Sequence, residues 1–296
     1  MISKIILAVC IVIAAVMPFN PILHSSEVKI MTVPVAEQIF MITGEGGNIG
    51  LFIGSDGTFL IDDQFAPLTD KIVAAIKSAG GEFPRFLINT HYHGDHTGGN
   101  ENLGQGGTLI FSHHNVRERL STGSFIGAFN MKREALSREG LPVVTFSKDI
   151  TFHLSGHNIR AIHLPQAHTD GDSFIYFKEA NVIHAGDIFF NGFYPFIDVE
   201  HGGSVKGMIK AVDEILFLAD DKTKIIPGHG PLGNKRQLAG YRQMLEVVYE
   251  RLSKLKAEGK TVQEAIAARP LADLEETWDD GMFKGDRWIE IIYSGI

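Results

Sequence analysis

Six consecutive residues, His91-Tyr92-His93-Gly94-Asp95-His96, put three imidazoles and a carboxylate directly after the apolar run Arg85-Phe86-Leu87-Ile88-Asn89-Thr90. In an extended chain residues two apart share a face, so His91 and His93 can address one cation. The turn that follows lets the adjacent Asp95 and His96 diverge toward a second. The bland alternative, surface histidines on the polar turn leading into Thr97-Gly98-Gly99-Asn100, is outweighed by further donors in matching contexts. His168 follows Ile162-His163-Leu164-Pro165 and precedes Thr169-Asp170-Gly171-Asp172. Asp187 ends Asn181-Val182-Ile183-His184-Ala185-Gly186, and His229 sits in Ile225-Ile226-Pro227-Gly228-His229-Gly230. Each donor lies just past a short apolar strand and near glycine, where strand ends and loops gather reactive groups on a rigid scaffold. Any one of them alone reads as an ordinary loop residue; together they read as one metal site.

This pattern, His-x-His-x-Asp-His and then His, Asp and His in that order, resembles the signature of the metallo-beta-lactamase superfamily over roughly residues 30 to 235. The resemblance implies an α/β fold, a four-layer αββα sandwich with the metals at one edge between two mixed sheets. It also implies that His91, His93 and His168 hold a first zinc, that Asp95, His96 and His229 hold a second, and that Asp187 bridges both. Asp95 is expected to act in catalysis as well. Asp62, in Gly57-Thr58-Phe59-Leu60-Ile61-Asp62, matches a family position that orients ligands from behind, fixing a histidine's tautomer and raising its basicity.

The donor types set the chemistry. Neutral imidazoles and carboxylates suit Zn2+, and a zinc-bound water has a pKa near 7, so hydroxide forms at neutral pH without a protein nucleophile. Two metals about 3.5–4 Å apart share that hydroxide and polarise a carbonyl. Hydrolysis of an acyl bond through a tetrahedral intermediate follows as the expected reaction. The lactamase subclass of broadest activity has Cys at the bridging position and Lys three residues on, where this chain has Asp187 and Phe190. Asp there resembles the glyoxalase II thioesterases, yet the C-terminal region lacks a basic glutathione-binding pattern. A beta-lactam amide or related ester or lactone therefore stands beside a thioester. A non-hydrolytic zinc or iron redox protein is the reading from a different class, since iron-bearing oxidoreductases exist in the superfamily and carboxylate-rich ligation permits iron. Seven His and Asp donors with no thiol argue against a closed structural zinc site, which has four ligands and often several Cys.

Residues 1 to 25 read as a secretory signal: Lys4 is the positive start and Ile5 to Met17 an apolar stretch shorter than the roughly 20 residues of a membrane span. No Ala-x-Ala site stands out, which leaves an uncleaved anchor as the alternative. A periplasmic or secreted location is expected, and because glutathione thioesters belong mainly in the cytosol it disfavours glyoxalase II. Cys10, the sole cysteine, lies inside the leader, so the mature chain would hold no thiol. Residues 26–296 are expected to form a single domain. Of the 296 residues 44% are hydrophobic, including 20 Phe, enough for a sizeable core, so intrinsic disorder is excluded. A net charge of −8 with dispersed Lys and Arg excludes a nucleic-acid surface, leaving a small-molecule substrate.

The elements that must position these donors are legible in outline. Strands are expected at about 28–33, 38–44, 48–54 and 58–62, separated by Gly46-Gly47 and Ser55-Asp56-Gly57. A helix over 68–78 carries Ile72, Val73 and Ile76 at helical spacing before Gly80-Gly81 stops it, and a strand at 85–89 delivers His91. Further strands are expected near 143–146, 150–154, 158–164, 172–178 and 181–185, then a helix after Ser204 and a strand at 223–226 that delivers His229. Leu238, Tyr241, Leu245, Val248, Leu252 and Leu255 form the apolar stripe of a long amphipathic helix packed on a sheet. Thr261 and Glu264 form a capping box for a short last helix.

The remaining histidines read as structural: His113-His114 near a helix start, His184 as a strand residue facing the core or backing a ligand, and His153, His157, His163 and His201 as bland. His201 nevertheless sits in a Gly-rich loop that could rim the pocket. The aromatic run Phe189-Phe190-Asn191-Gly192-Phe193-Tyr194-Pro195-Phe196 follows Asp187 at once and reads either as a pocket wall or as a core plug, with Asn191 or Tyr194 as oxyanion donors in the first case. Ser121 to Phe129, small residues punctuated by Phe, reads as a second flap.

Overall fold

A computed structural model describes residues 28–279 and 281–296. The leader assigned to residues 1–25 lies outside the described residues. Four antiparallel strands open the fold, β1 (Met31–Ala36), β2 (Ile39–Thr43), β3 (Ile49–Gly54) and β4 (Gly57–Ile61). Helix α1 (Thr69–Ser78) then crosses back so that β5 (Phe86–Ile88) pairs parallel to β4. Short helices α2 (Gly94–Thr97) and α3 (Asn100–Gln105) lead to β6 (Leu109–His113), parallel to β5, and to α4 (His114–Thr122). Strands β7 (Ser124–Ile126) and β8 (Met131–Arg133) make a separate hairpin before β9 (Val144–Phe146) closes a seven-stranded sheet in the order β1-β2-β3-β4-β5-β6-β9.

The second sheet contains β10 (Asp149–Leu154), β11 (His157–His163), β12 (Ser173–Phe177), β13 (Val182–His184), β14 (Lys224–Ile226) and β15 (Gly233–Asn234), in that order. Helix α5 (Val205–Leu218) carries the parallel crossover from β13 to β14. The long α6 (Lys235–Ala257) follows, then α7 (Val262–Ala267), α8 (Glu275–Trp278) and α9 (Gly285–Ile292). The last of these was not expected from the sequence, nor was the β7–β8 hairpin.

The period-2 alternation of strand side chains builds the layers. Phe59 and Ile61 of β4 and Ile88 of β5 face Ile175, Phe177 and Ile226 of the other sheet in one core. Their neighbours Leu60 and Leu87 turn the opposite way onto Ile72 and Ile76 of α1. Across the second sheet Ile183 and Ile225 pack against Met208, Val212 and Ile215 of α5 and Leu238, Tyr241 and Leu245 of α6. The order helix, sheet, sheet, helix is the expected αββα sandwich. Each of these large side chains contributes about 1.5–3 kcal/mol by leaving water. Ser204 caps α5 by accepting from the Gly207 amide at 3.0 Å, and Thr261 and Glu264 form the capping box expected for α7. Among the described residues, no helix is long and apolar enough to cross a membrane.

Candidate metal centre

All seven expected donors meet where the strands of both sheets end. Strand β5 stops at Ile88, and the chain then runs through His91 and His93 before α2 begins at Gly94 and carries Asp95 and His96. His168 comes from the loop between β11 and β12, Asp187 from the turn after β13 and His229 from the turn after β14. His91, His93, His168 and Asp187 offer atoms that all lie within 4.8 Å of one another, and Asp95, His96 and His229 form a second such group. Asp187 serves both. Its Oδ2 lies 3.4 Å from His168 Nε2 and 3.4 Å from His229 Nε2, while its Oδ1 lies 3.0 Å from His96 Nε2. This closeness requires Gly228, where a Cβ would stand 2.0 Å from Asp187 Oδ1.

The outer nitrogens of the rings are committed, which decides where the inner ones point. His168 Nδ1 donates to the Phe196 carbonyl at 2.7 Å, and His93 Nε2 donates to Asp198 Oδ2 at 2.9 Å. His168 Nε2 and His93 Nδ1 are then left facing each other as bare lone pairs 2.8 Å apart. His96 Nδ1 donates to Asp62 Oδ2 at 2.8 Å, leaving Nε2 inward. His91 Nδ1 donates to Thr90 Oγ1 at 3.0 Å, whose own hydroxyl donates to Asp62 Oδ2 at 2.7 Å. Asp62 adopts a left-handed backbone, φ 62°, just past the end of β4; an Asp tolerates this better than most residues, and it turns the carboxylate under both His96 and Thr90.

These donors fit a pair of divalent cations. Two lone pairs in contact repel unless something positive lies between them, and His91 Nε2 is buried without any hydrogen-bond partner among the described residues. Burial pushes the His91 imidazole well below its ordinary value and His93 to about 4, so both are neutral and ready to ligate. Burial also opposes charge on His96 and His229. There the Asp187 and Asp95 carboxylates outweigh it, raising His96 well above its ordinary value and His229 to about 9. A proton on those two rings and a cation between them answer the same excess of negative charge. The donor set is all nitrogen and oxygen, with no thiolate, which suits zinc and admits iron.

The centre opens on a cavity of about 1060 Å³, lined by Asp95, Asp187 and His229 on the floor and by Phe190 and Phe196 among its apolar walls. The aromatic run after Asp187 is thus divided between the cavity lining and the core. Phe190 and Phe196 line the cavity, whereas Phe189 and Tyr194 are wholly buried. Tyr194 stacks on Trp288 with ring centroids 4.4 Å apart, and Asn191 Nδ2 donates to the Pro231 carbonyl. Neither lines the cavity, which corrects the expectation of either as an oxyanion donor. The second flap, expected over Ser121 to Phe129, is the end of α4 and most of the β7–β8 hairpin; Ile126 and Phe129 line the cavity.

Sequence reasoning missed one residue of consequence, Asp198. It is 2% exposed and accepts from three groups: His93, the Tyr92 hydroxyl at 2.5 Å and His201 Nδ1 at 2.8 Å. Burial works against its charge, but these hydrogen bonds, from His201 and His93 first, hold the carboxyl far below the usual range. Nothing in Phe196-Ile197-Asp198-Val199 announces this; its signal lies 105 residues from His93, visible only once the chain folds. His201, expected to be bland or to rim the pocket, instead braces Asp198. His184 is the buried strand residue expected, its Nε2 donating to the Asn48 carbonyl at 3.0 Å. His113 caps α4 through Nδ1 and stacks on His163 at 3.6 Å, outside the metal centre.

The sandwich with a His and Asp cluster at its sheet edge defines a class, and the comparisons agree with it. The model of the metallo-beta-lactamase superfamily matches residues 42–229, and the chain belongs to that superfamily. It is a metal-dependent hydrolase. A curated relative, "Probable metallo-hydrolase YqgX" of Bacillus subtilis, is 26% identical over 191 residues, 60% of this chain and 86% of that protein. The solved DIM-1 metallo-beta-lactamase aligns with a TM-score of 0.61 at 17% identity, covering 75% of this chain and 100% of its own. A metallo-beta-lactamase from Pontibacter korlensis aligns at 0.58 with 18% identity, covering 74% of this chain and 99% of its own. A double mutant of the sec-alkyl sulfatase PisA1 aligns at 0.61 with 17% identity, covering 81% of this chain and 45% of its own. At such identities the solved structures speak for the fold alone.

Proposed function

We propose that this protein is an exported dinuclear zinc hydrolase that cleaves an acyl bond, a beta-lactam amide or a related ester or lactone, in a small-molecule substrate. The observation that carries the reading is the sharing of Asp187 between two donor groups at the floor of one cavity. His91, His93 and His168 would hold one ion and Asp95, His96 and His229 the other, with Asp187 between them. When bound, such a pair supplies an activated water and polarises the substrate carbonyl.

The chain's own residues supply the rest. Asp198, the Phe196 carbonyl and the Thr90–Asp62 pair keep protons on the outer ring nitrogens of His93, His168, His91 and His96, so the inner nitrogens stay free to donate. Asp95 is the least enclosed carboxylate of the set, its side chain 24% exposed; burial opposes its charge, but His96 and His229 keep it ionised, placed to accept a proton beside a reacting group. Phe190 and Phe196 orient an apolar substrate body and exclude water from one side. Export rests on the charged and apolar pattern of residues 1 to 25.

Metal analysis of the purified protein is expected to give two zinc ions per chain; less than about one, with bound iron, would overturn the dinuclear zinc reading. A panel of a chromogenic cephalosporin, lactones and thioesters under zinc loading identifies the acyl bond, with turnover expected for the first two classes.

A further inference from the structure

Arg133, the last residue of β8, brings a guanidinium into the same cavity from the hairpin. It lies flat against Gly94, between two of the donors: a Cβ at that position would stand 2.8 Å from its Cζ. One nitrogen, Nη1, donates to the Tyr92 carbonyl at 2.9 Å and toward Thr97 Oγ1 at 3.4 Å. Nε and Nη2 have no acceptor among the described residues, and no carboxylate there lies within ion-pair distance. Neighbouring Lys132, by contrast, is paired with Glu134 at 2.8 Å and stands in solvent. A largely buried guanidinium keeps its charge at a cost unless an anion partners it. Its remaining donors form a planar fork suited to a carboxylate.

Much of the wall around that fork is apolar, and Lys132 adds a second cation to the same lining. Phe129 and Met131 of the hairpin and Met282 opposite are exposed and line the cavity with Phe190 and Phe196. Glu45 also lines it, so an anion belongs on the Arg133 side. We infer that Arg133 anchors the carboxylate of an amphiphilic substrate whose apolar body lies against Phe129, Met131, Phe190 and Phe196. The inference rests on the hydrolase reading and adds the substrate's charge to it.

The zinc-loaded enzyme is assayed with a chromogenic cephalosporin bearing a free carboxylate and with its methyl ester. Arg133→Gln keeps a donor for the Tyr92 carbonyl and removes the cation, so the acid-over-ester ratio in kcat/KM is expected to fall at least tenfold, through KM, with zinc content unchanged. Arg133→Lys is expected to fall between wild type and Arg133→Gln, and decides the matter if the Gln variant does not fold. Equal losses on acid and ester, the mark of a scaffold role through Tyr92, would overturn the inference, as would no change on either. Should the wild type hydrolyse neither compound, the beta-lactam reading fails, and calorimetry decides on Arg133 separately. Decanoate binding at least tenfold weaker in Arg133→Gln, with 1-decanol binding equal in both proteins, supports the anchor; equal decanoate binding refutes it.

Discussion

Asp198 makes a sharp test because its carboxylate touches one ligand and not the others. Its carboxylate accepts from His93 Nε2 at 2.9 Å, from Tyr92 and from His201, and from none of Asp95, His96 or His229. Replacing it by Ala removes a buried, charge-assisted hydrogen bond of about 1.5–3 kcal/mol from His93. At 1.4 kcal/mol per decade this predicts a first metal ion bound roughly 10- to 100-fold more weakly, the range for carboxylates behind metal-bound histidines. Asp198→Asn keeps an acceptor for His93 but loses the charge, so about tenfold is expected, the difference between a charged and a neutral hydrogen bond. The Ala variant also leaves the buried Tyr92 hydroxyl unpaired, lowering stability by about 1–3 kcal/mol, which Asp198→Asn largely spares. Competition with a chromogenic zinc chelator resolves the two binding steps. One step should weaken in the order wild type, Asn, Ala while the other holds. Wild-type constants for both steps in Asp198→Ala, or equal loss in both, would refute the assignment of His93 and its brace to one ion.

Asp62→Asn loosens His96 directly and His91 through Thr90, so in the same titration it is expected to weaken the other binding step by about tenfold and the first by less. Tyr194→Phe is expected to leave kcat/KM unchanged and the melting temperature no lower, since its hydroxyl is buried without a partner and its ring stacks on Trp288; a kinetic loss would return Tyr194 to the reaction. Burial, then His163 and His114, hold His113 at about 4, below its ordinary value of about 6.5. A lowered folded value means that protons favour the unfolded chain, so this contribution to stability is complete above pH about 6.5 and is lost as pH falls toward about 4. His113→Asn, which retains a cap for α4, should show a smaller fall in melting temperature between those limits; an equal fall would exclude His113 as the source.

The candidate metal donors could be read from the sequence because they recur in one local context. Residues two apart at a strand's end share a face, and a donor beside glycine past an apolar run stands where a rigid scaffold presents reactive groups. His91, His93, Asp95, His96, His168, Asp187 and His229 therefore needed no coordinates to be named. Most strands and the three longest helices were equally legible, since a period of two or 3.6 in apolar side chains is imposed by the backbone itself, though β6 and the two-residue β15 were not expected. The β7–β8 hairpin was not, because Met131-Lys132-Arg133 has no buried face to leave a pattern.

What only the folded chain decided is which groups meet without sharing any pattern. Asp198 reaches His93 from 105 residues away and Arg133 reaches the Tyr92 carbonyl and Gly94 from the hairpin, through contacts that leave no trace in neighbouring residues. Phe189 to Phe196 could be read as an aromatic run, but only the packing of Tyr194 on Trp288 and the opening of the cavity beside Phe190 and Phe196 decided which rings line the pocket and which lie in the core. Periodicity is a property of the chain; convergence depends on how two sheets stack, and side-chain packing across that stack is what selects one partner among many.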